Sequence, residues 1–130
     1  MGKIKRIVVI SALVLAGVAL ALVTIVRLSN PMVHTGSDAM WYVLSLCSDE
    51  TIYAPKFTEN AFRSLRVGMT TNEVLSRIGS PLLVHQSDKL ARVSIWRYTR
   101  APIDGNYWIR NVHFDEKGQV VSFTAEYYMD

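Results

Sequence analysis

The pattern of apolar and polar positions divides the chain into three parts. Residues 7–26, IVVISALVLAGVALALVTIV, run for twenty positions without a charge, behind a basic flank holding Lys3, Lys5 and Arg6. At about 1.5 Å per residue, such a helix is about 30 Å long, the thickness of a bilayer's hydrocarbon core. One transmembrane signal-anchor is therefore expected over 7–26. Residues 1–6 form its cytoplasmic flank, and the remainder of the chain lies on the opposite side. Residues 27–56 mix Pro31, Gly36, Pro55 and small polar residues, which predicts a linker followed by an extended segment. Within it, residues 39–47 (AMWYVLSLC) form a short apolar run behind Ser37 or Asp38 as a cap. A run this short fits a helix or a strand equally.

The third part, 57–130, is a domain whose first 25 residues are densely punctuated. Thr58 caps a helix predicted from Glu59 to about Arg66, with Phe62 and Leu65 facing inward. Gly68 ends this pattern. Thr70 and Glu73 then spell a capping box, in which each side chain meets the other residue's backbone N–H. A second helix follows over 70–78 with Val74, Leu75 and Ile78 on its apolar side. Gly79 and Pro81 stop it. Downstream the period changes to two. Strands are expected over 91–100 (Trp96 and Tyr98 on one face), 107–114 (Trp108, Arg110, Val112 and Phe114 on one face) and 119–127 (Val121, Phe123 and Ala125 on one face). The last two are joined by a hairpin turn, Asp115-Glu116-Lys117-Gly118. The predicted fold class is α+β: two short helices on a three-stranded antiparallel sheet (ααβββ), preceded by one transmembrane helix. The predicted core comprises Phe62, Leu65, Val74, Leu75, Ile78, Trp96, Val112, Phe114, Val121 and Phe123.

Two processing signals bear on the anchor. Ala19-Leu20-Ala21 resembles a signal-peptidase site, but the apolar run continues past it to Val26. Leu15-Ala16-Gly17 is what precedes the lipid-modified cysteine of a bacterial lipoprotein. Val18 stands at that position here and has no thiol to modify. An uncleaved anchor is expected.

Composition sharpens this division. The chain has 130 residues, 50% of them hydrophobic, and a formal charge of +3. Lys3, Lys5 and Arg6 account for that whole excess, so the domain is balanced and lacks the electrostatic footprint of a nucleic-acid-binding face. Cys47 is the only cysteine, which rules out an intramolecular disulfide, and a small buried side chain is expected there.

The pattern F-x-x-L-x-V-G-M-T-x-x-E-V-x-x-x-I-G-x-P, a W-x-Y strand and V-x-F-D-x-x-G-x-V-V together resemble the SmpA/OmlA (BamE-like) family of small envelope proteins. The residues that carry the likeness are Phe62, Leu65, Val67, Gly68, Met69, Thr70, Glu73, Val74, Ile78, Gly79 and Pro81, then Trp96 and Tyr98, then Val112, Phe114, Asp115, Gly118, Val120 and Val121. They span about residues 57–125. The resemblance implies a periplasmic or extracellular domain that binds and stabilises partner proteins, those of the best-known members being the machinery that assembles outer-membrane β-barrels. The fold is also similar to that of secreted β-lactamase inhibitors. The chain departs from the family's lipoproteins in its anchor, which suits an inner or plasma membrane.

Catalytic chemistry has little support. His34, His85 and His113 are far apart and lack ligand spacing, so no metal site is expected, and no cofactor. His113 and Asp115 fall on one strand face, but no nucleophile motif accompanies them. Glu73 is accounted for by its cap. The candidate partner-binding residues are Tyr107 and Trp108, which cannot both point inward, with Arg100 and Arg110 nearby. An exposed strand edge would offer a second docking mode. The expected function is a membrane-anchored extracytoplasmic protein-binding module, an accessory or scaffold subunit of an envelope complex. It is not expected to be an enzyme or to have a small-molecule substrate. The alternatives are an inhibitor-like binding protein released after Ala21, or a small envelope hydrolase.

Overall fold

Residues 57–81 fold as their caps dictate. In the computed structural model, which describes residues 2–87 and 93–129, helix α3 (Glu59–Arg63) follows Thr58, whose hydroxyl accepts from the Ala61 N–H at 3.2 Å. Helix α4 (Thr71–Ile78) follows Thr70 with both arms of the capping box in place. The Glu73 N–H donates to Thr70 Oγ1 at 3.3 Å, and the Thr70 N–H donates to Glu73 Oε2 at 2.8 Å. The backbone donor, more than the Thr70 hydroxyl, holds the Glu73 carboxyl below its ordinary range. Gly68 (φ +88°) turns the chain between the helices and Gly79 (φ +77°) ends α4; both conformations strain any residue with a Cβ.

Before this unit come α1 (Lys3–Ser29), α2 (Gly36–Leu44) and β1 (Ile52–Tyr53). After it come β2 (Leu83–Ser87), β3 (Val93–Arg97), β4 (Thr99–Arg100), β5 (Tyr107–Phe114) and β6 (Val120–Tyr128). The protein is α+β, with one long apolar N-terminal helix and antiparallel sheets. The sheet differs from the expected three strands. It has four, in the order β2-β3-β5-β6, beside a two-stranded ribbon of β1 and β4. The extra strand β2, Leu-Val-His-Gln-Ser, is too short and too exposed to alternate visibly in the sequence.

The strand expected over 91–100 is divided. Residues 91 and 92 lie outside the described residues, and the rest breaks at Tyr98. Tyr98 and Thr99 are adjacent yet both buried, so simple alternation fails there. Tyr98 turns toward the helices and its hydroxyl donates to the Gly79 carbonyl at 3.0 Å. Burial pushes its phenol far above the ordinary range. Thr99 continues the contact with β5 through its side chain, Oγ1 accepting from the Arg110 N–H at 2.8 Å. With Arg100 it forms β4, which pairs with β1.

Strand β5 alternates cleanly: Trp108, Arg110, Val112 and Phe114 all point inward. In β6 the pairing Phe114↔Val120 follows His113↔Ser122, so Val121 is the extra residue of a bulge. That shift puts Val120 in the core and leaves Val121 43% exposed, reversing the expected face. Leu75, also expected inside, is 37% exposed on the outer side of α4. The main core gathers Phe62, Leu65, Val74, Ile78, Tyr98, Val112, Phe114 and Val120, with Trp96 and Phe123 packed against it.

Residues 27–56, expected as linker, are largely built into the fold. Thr35 caps α2 in a capping box with Asp38, a role expected of Ser37 or Asp38. A second cluster joins Val33 and Ala39 to Trp108 and Tyr127, with Val23, Val26, Met32 and Tyr42 packed around it. The last turns of α1 and one side of α2 are thus seated on the domain.

The two turn glycines give a graded expectation. Gly68→Ala should cost about 1–2 kcal/mol from backbone strain alone, since its Cβ would meet open space. Gly79→Ala should cost more, because its Cβ would lie 2.7 Å from Lys56 Cβ. Urea unfolding of both variants in detergent micelles checks the order.

Candidate protein-binding surface

The aromatic and basic residues expected to form an exposed docking cluster are instead separated by the sheet. Trp108 and Arg110 are fully buried, because both sit on the inward face of β5. Arg110 is the centre of a polar clasp. Its Nε donates to Glu59 Oε2 at 3.0 Å, and its two terminal nitrogens donate to the carbonyls of Ile109 (2.8 Å) and Met32. Its guanidinium also lies over the rings of Trp108 and Phe62, 5.5 and 5.9 Å from their centres. Glu59 is itself buried, and its other oxygen meets His34 Nε2 at 2.5 Å and Arg63 Nε at 3.2 Å. Arg63 reaches on to the carbonyls of Pro31 and Val33. These bonds fix residues 31–34, α3 and β5 to one another. Sequence reading missed this clasp because, apart from the i,i+4 pair Glu59 and Arg63, its members are distant along the chain.

Tyr107 and Arg100 are the two members of that cluster that reach the surface. Tyr107 is half-buried against Tyr128, ring centres 5.5 Å apart. Arg100 is exposed, and its guanidinium donates to the carbonyls of Ala101 and Pro102. The fold-motif residues all serve the framework. Phe62, Val74 and Phe114 are core, Trp96 stacks on Phe114 with ring centres 4.6 Å apart, and Pro81 follows the α4 stop. Asp115 Oδ1 accepts from the N–H groups of Lys117 and Gln119, shaping the turn that Gly118 (φ +71°) completes.

The two edges of the four-stranded sheet are treated differently. The β6 edge is closed twice. At its start the α3–α4 turn acts as a strand: Gly68 N–H donates to the Val120 carbonyl, and Val120 N–H donates to the Met69 carbonyl, both at 2.8 Å. Thr70 also bridges Gln119. Near its end the Tyr127 N–H donates to Asp38 Oδ1 at 3.2 Å, from the first turn of α2. The β2 edge has no such cover among the described residues; its only strand partner is β3. Leu83 and Val84 there are 50% and 58% exposed, and His85 and Gln86 are exposed as well. An unpaired, apolar strand edge is a template for another chain, and soluble folds ordinarily blunt it. A groove of about 320 Å³ lined by Pro55, Lys56, Leu75, Gly79 and Ser80 lies at the end of α4, from which Pro81 and Leu82 lead into β2.

The residues considered for acid–base chemistry are occupied structurally. His113 Nε2 is 2.8 Å from Thr124 Oγ1, and Asp115 is spent on the turn. His34 joins the clasp, and His85 lies exposed on β2. Cys47, expected to be buried, is exposed. It and Leu46 adopt left-handed backbone angles (φ +58° and +57°) just beyond α2. Comparison with known proteins finds no matching family model and no matching curated protein.

Two expectations follow. Glu59→Gln leaves the Arg110 guanidinium buried against a neutral amide and should cost about 3 kcal/mol in urea unfolding. Glu59→Leu/Arg110→Met should lose less than the two single changes added together. His113 supplies a pH dependence. Burial holds its imidazole below the ordinary 6.5, so the unfolded state binds that proton more readily. Its stabilising contribution is complete above the unfolded value and is lost as pH falls through the lower folded value. Between about pH 7.5 and about pH 5 the protein should lose more stability than its His113→Gln variant.

Proposed function

We propose that this chain is a membrane-tethered protein-binding module that captures an extended segment of a partner by strand addition at β2. The observation that carries this is the asymmetry of the sheet: β6 is capped at both ends, while β2 pairs only with β3 among the described residues and leaves Leu83 and Val84 exposed. Main-chain hydrogen bonds along β2 would supply affinity. The groove beside Leu75 and Lys56 would take a side chain and supply selectivity. Helix α1 is long and apolar enough to cross a membrane. Its basic flank argues for a cytoplasmic N-terminus and an extracytoplasmic domain. The likeness of residues 57–125 to the SmpA/OmlA pattern supports an accessory or scaffold role in an envelope complex, of the kind that assembles outer-membrane proteins.

A photo-crosslinking side chain at Val84 tests this directly. In native membranes it should join the chain to a discrete protein partner, whereas the same group at Glu126, exposed on β6, should not. Leu83→Lys/Val84→Lys should reduce capture about tenfold or more with unchanged melting, since both side chains are already solvated. Equal crosslinking from Val84 and Glu126 would contradict docking at β2.

A further inference from the structure

The end of the domain reached by the tip of α2 carries a second apolar surface. Along α2, Met40, Trp41 and Leu44 share its outward side and are all exposed. Just beyond, the left-handed backbone at Leu46 and Cys47 presents Leu46 almost wholly to solvent, at 91% exposure. Ile103, on the loop between β4 and β5, is 90% exposed. The loop and the α2 tip belong to one end of the fold. Glu50 N–H donates to the Asn106 carbonyl at 2.9 Å, and the Tyr127 hydroxyl, 2.6 Å from Ser45 Oγ, donates to the Ser48 carbonyl at 2.6 Å.

The direction of that end follows from the helices. A six-residue turn, 30–35, folds α2 back against α1. Gly36 at the start of α2 lies near the Arg27 guanidinium at the end of α1, and Val23, a turn further in, packs on the cluster that holds Ala39 and Tyr42. The tip of α2 therefore points back along α1. Helix α1 has 27 residues, about 40 Å of helix against about 30 Å of hydrocarbon. The charge-free residues 7–26 already match that hydrocarbon, so the surplus of about 10 Å is shared between the basic first turn and residues 27–29, and Val23 and Val26, which contact the domain, lie in the last turn of the span. The nine residues of α2 start beside Arg27 and descend about 13 Å along α1, which brings Leu44 and Leu46 into the outer leaflet.

We infer that Trp41, Leu44, Leu46 and Ile103 dip into the outer leaflet of the same bilayer that α1 crosses, giving the domain a second contact that fixes its orientation. This rests on α1 as a transmembrane helix. The occupant is lipid because this surface continues the apolar span, and because a Trp among aliphatic side chains suits the headgroup boundary. Asp49 and Glu50 follow Cys47 closely in the chain and Asp104 follows Ile103, so no basic patch accompanies this surface and the contact is apolar and independent of anionic lipid. The domain then stands with the 115–118 hairpin, at the opposite end of β5 from the Ile103 loop, away from the membrane.

Cys47 is the sole cysteine and is exposed beside Leu46, so a nitroxide label there reports depth without further change. The full chain, labelled at Cys47, would be placed in phosphatidylcholine nanodiscs, with and without phosphatidylglycerol. Power-saturation measurements with oxygen and a water-soluble nickel chelate should place the label in the interfacial region in both lipids. A label at Lys117→Cys in a Cys47→Ser background should be fully aqueous. Leu44→Ser/Leu46→Ser/Ile103→Ser should return the Cys47 label to water with unchanged melting. A Leu13→Cys label in the Cys47→Ser background separates the two premises. If Leu13 is deep while Cys47 is as aqueous as Lys117, the surface contact is overturned and the span stands. If Leu13 is itself aqueous, the span and the contact both fall.

Discussion

The ion pair between Arg110 and Glu59 is the contact on which the arrangement of this protein depends. Arg110 is fully buried and Glu59 nearly so, so the guanidinium requires the carboxylate. Meeting that requirement brings α3 onto β5 and draws the chain leaving α1 across both. Met32 supplies a carbonyl to Arg110, Pro31 and Val33 supply carbonyls to Arg63, and His34 closes on Glu59. The segment between α1 and the sheet is thereby a strut. Trp108 and Tyr127 continue the same junction in apolar form, receiving Val23 and Val26 from α1. A domain fixed this way has a defined orientation to α1.

The sheet edges show how sequence signals with a local cause can have a distant purpose. Gly68 is a glycine because the turn between α3 and α4 needs a positive φ. The same turn places its amide and the Met69 carbonyl against Val120, so that it also seals β6. Asp38 is the N3 member of a helix cap and at the same time an acceptor for Tyr127. Two short motifs thus close one edge. At the other edge, β2 ends the sheet with aliphatic side chains outward, and that contrast gives the binding proposal its physical basis.

The helices and turns were legible in the sequence because their signals are local. Thr58, Thr70, Glu73, Gly79, Asp115 and Gly118 each act on backbone within a few residues of themselves, and each does what its spacing implies. Errors arose where a tertiary contact overrides the local period. The bulge at Val121 reverses the inward face at the start of β6, and the break at Tyr98 buries two neighbours in succession. Arg110 shares its expected face with Val112 and Phe114 yet reads as a docking residue beside Tyr107 and Trp108, because the Glu59 that compensates its charge comes from 51 residues away. Strand β2 carries too little apolar contrast to be seen, since it is an exposed edge. Of the expected docking cluster only Tyr107 and Arg100 lie at the surface, and the edge that now carries the proposal was named in the sequence only as a general mode.

Hydrogen exchange across the sheet tests the central claim most directly. The amides of β2 would be followed in the purified chain in nanodiscs and again in native membranes, with β6 as the internal reference. An open edge that recruits a partner predicts rapid exchange along β2 in nanodiscs, slow exchange around Val120 and Tyr127, and a selective gain of protection along β2 in native membranes. Protection along β2 equal to that of β6 in the purified chain, or unchanged exchange there in native membranes, would contradict it.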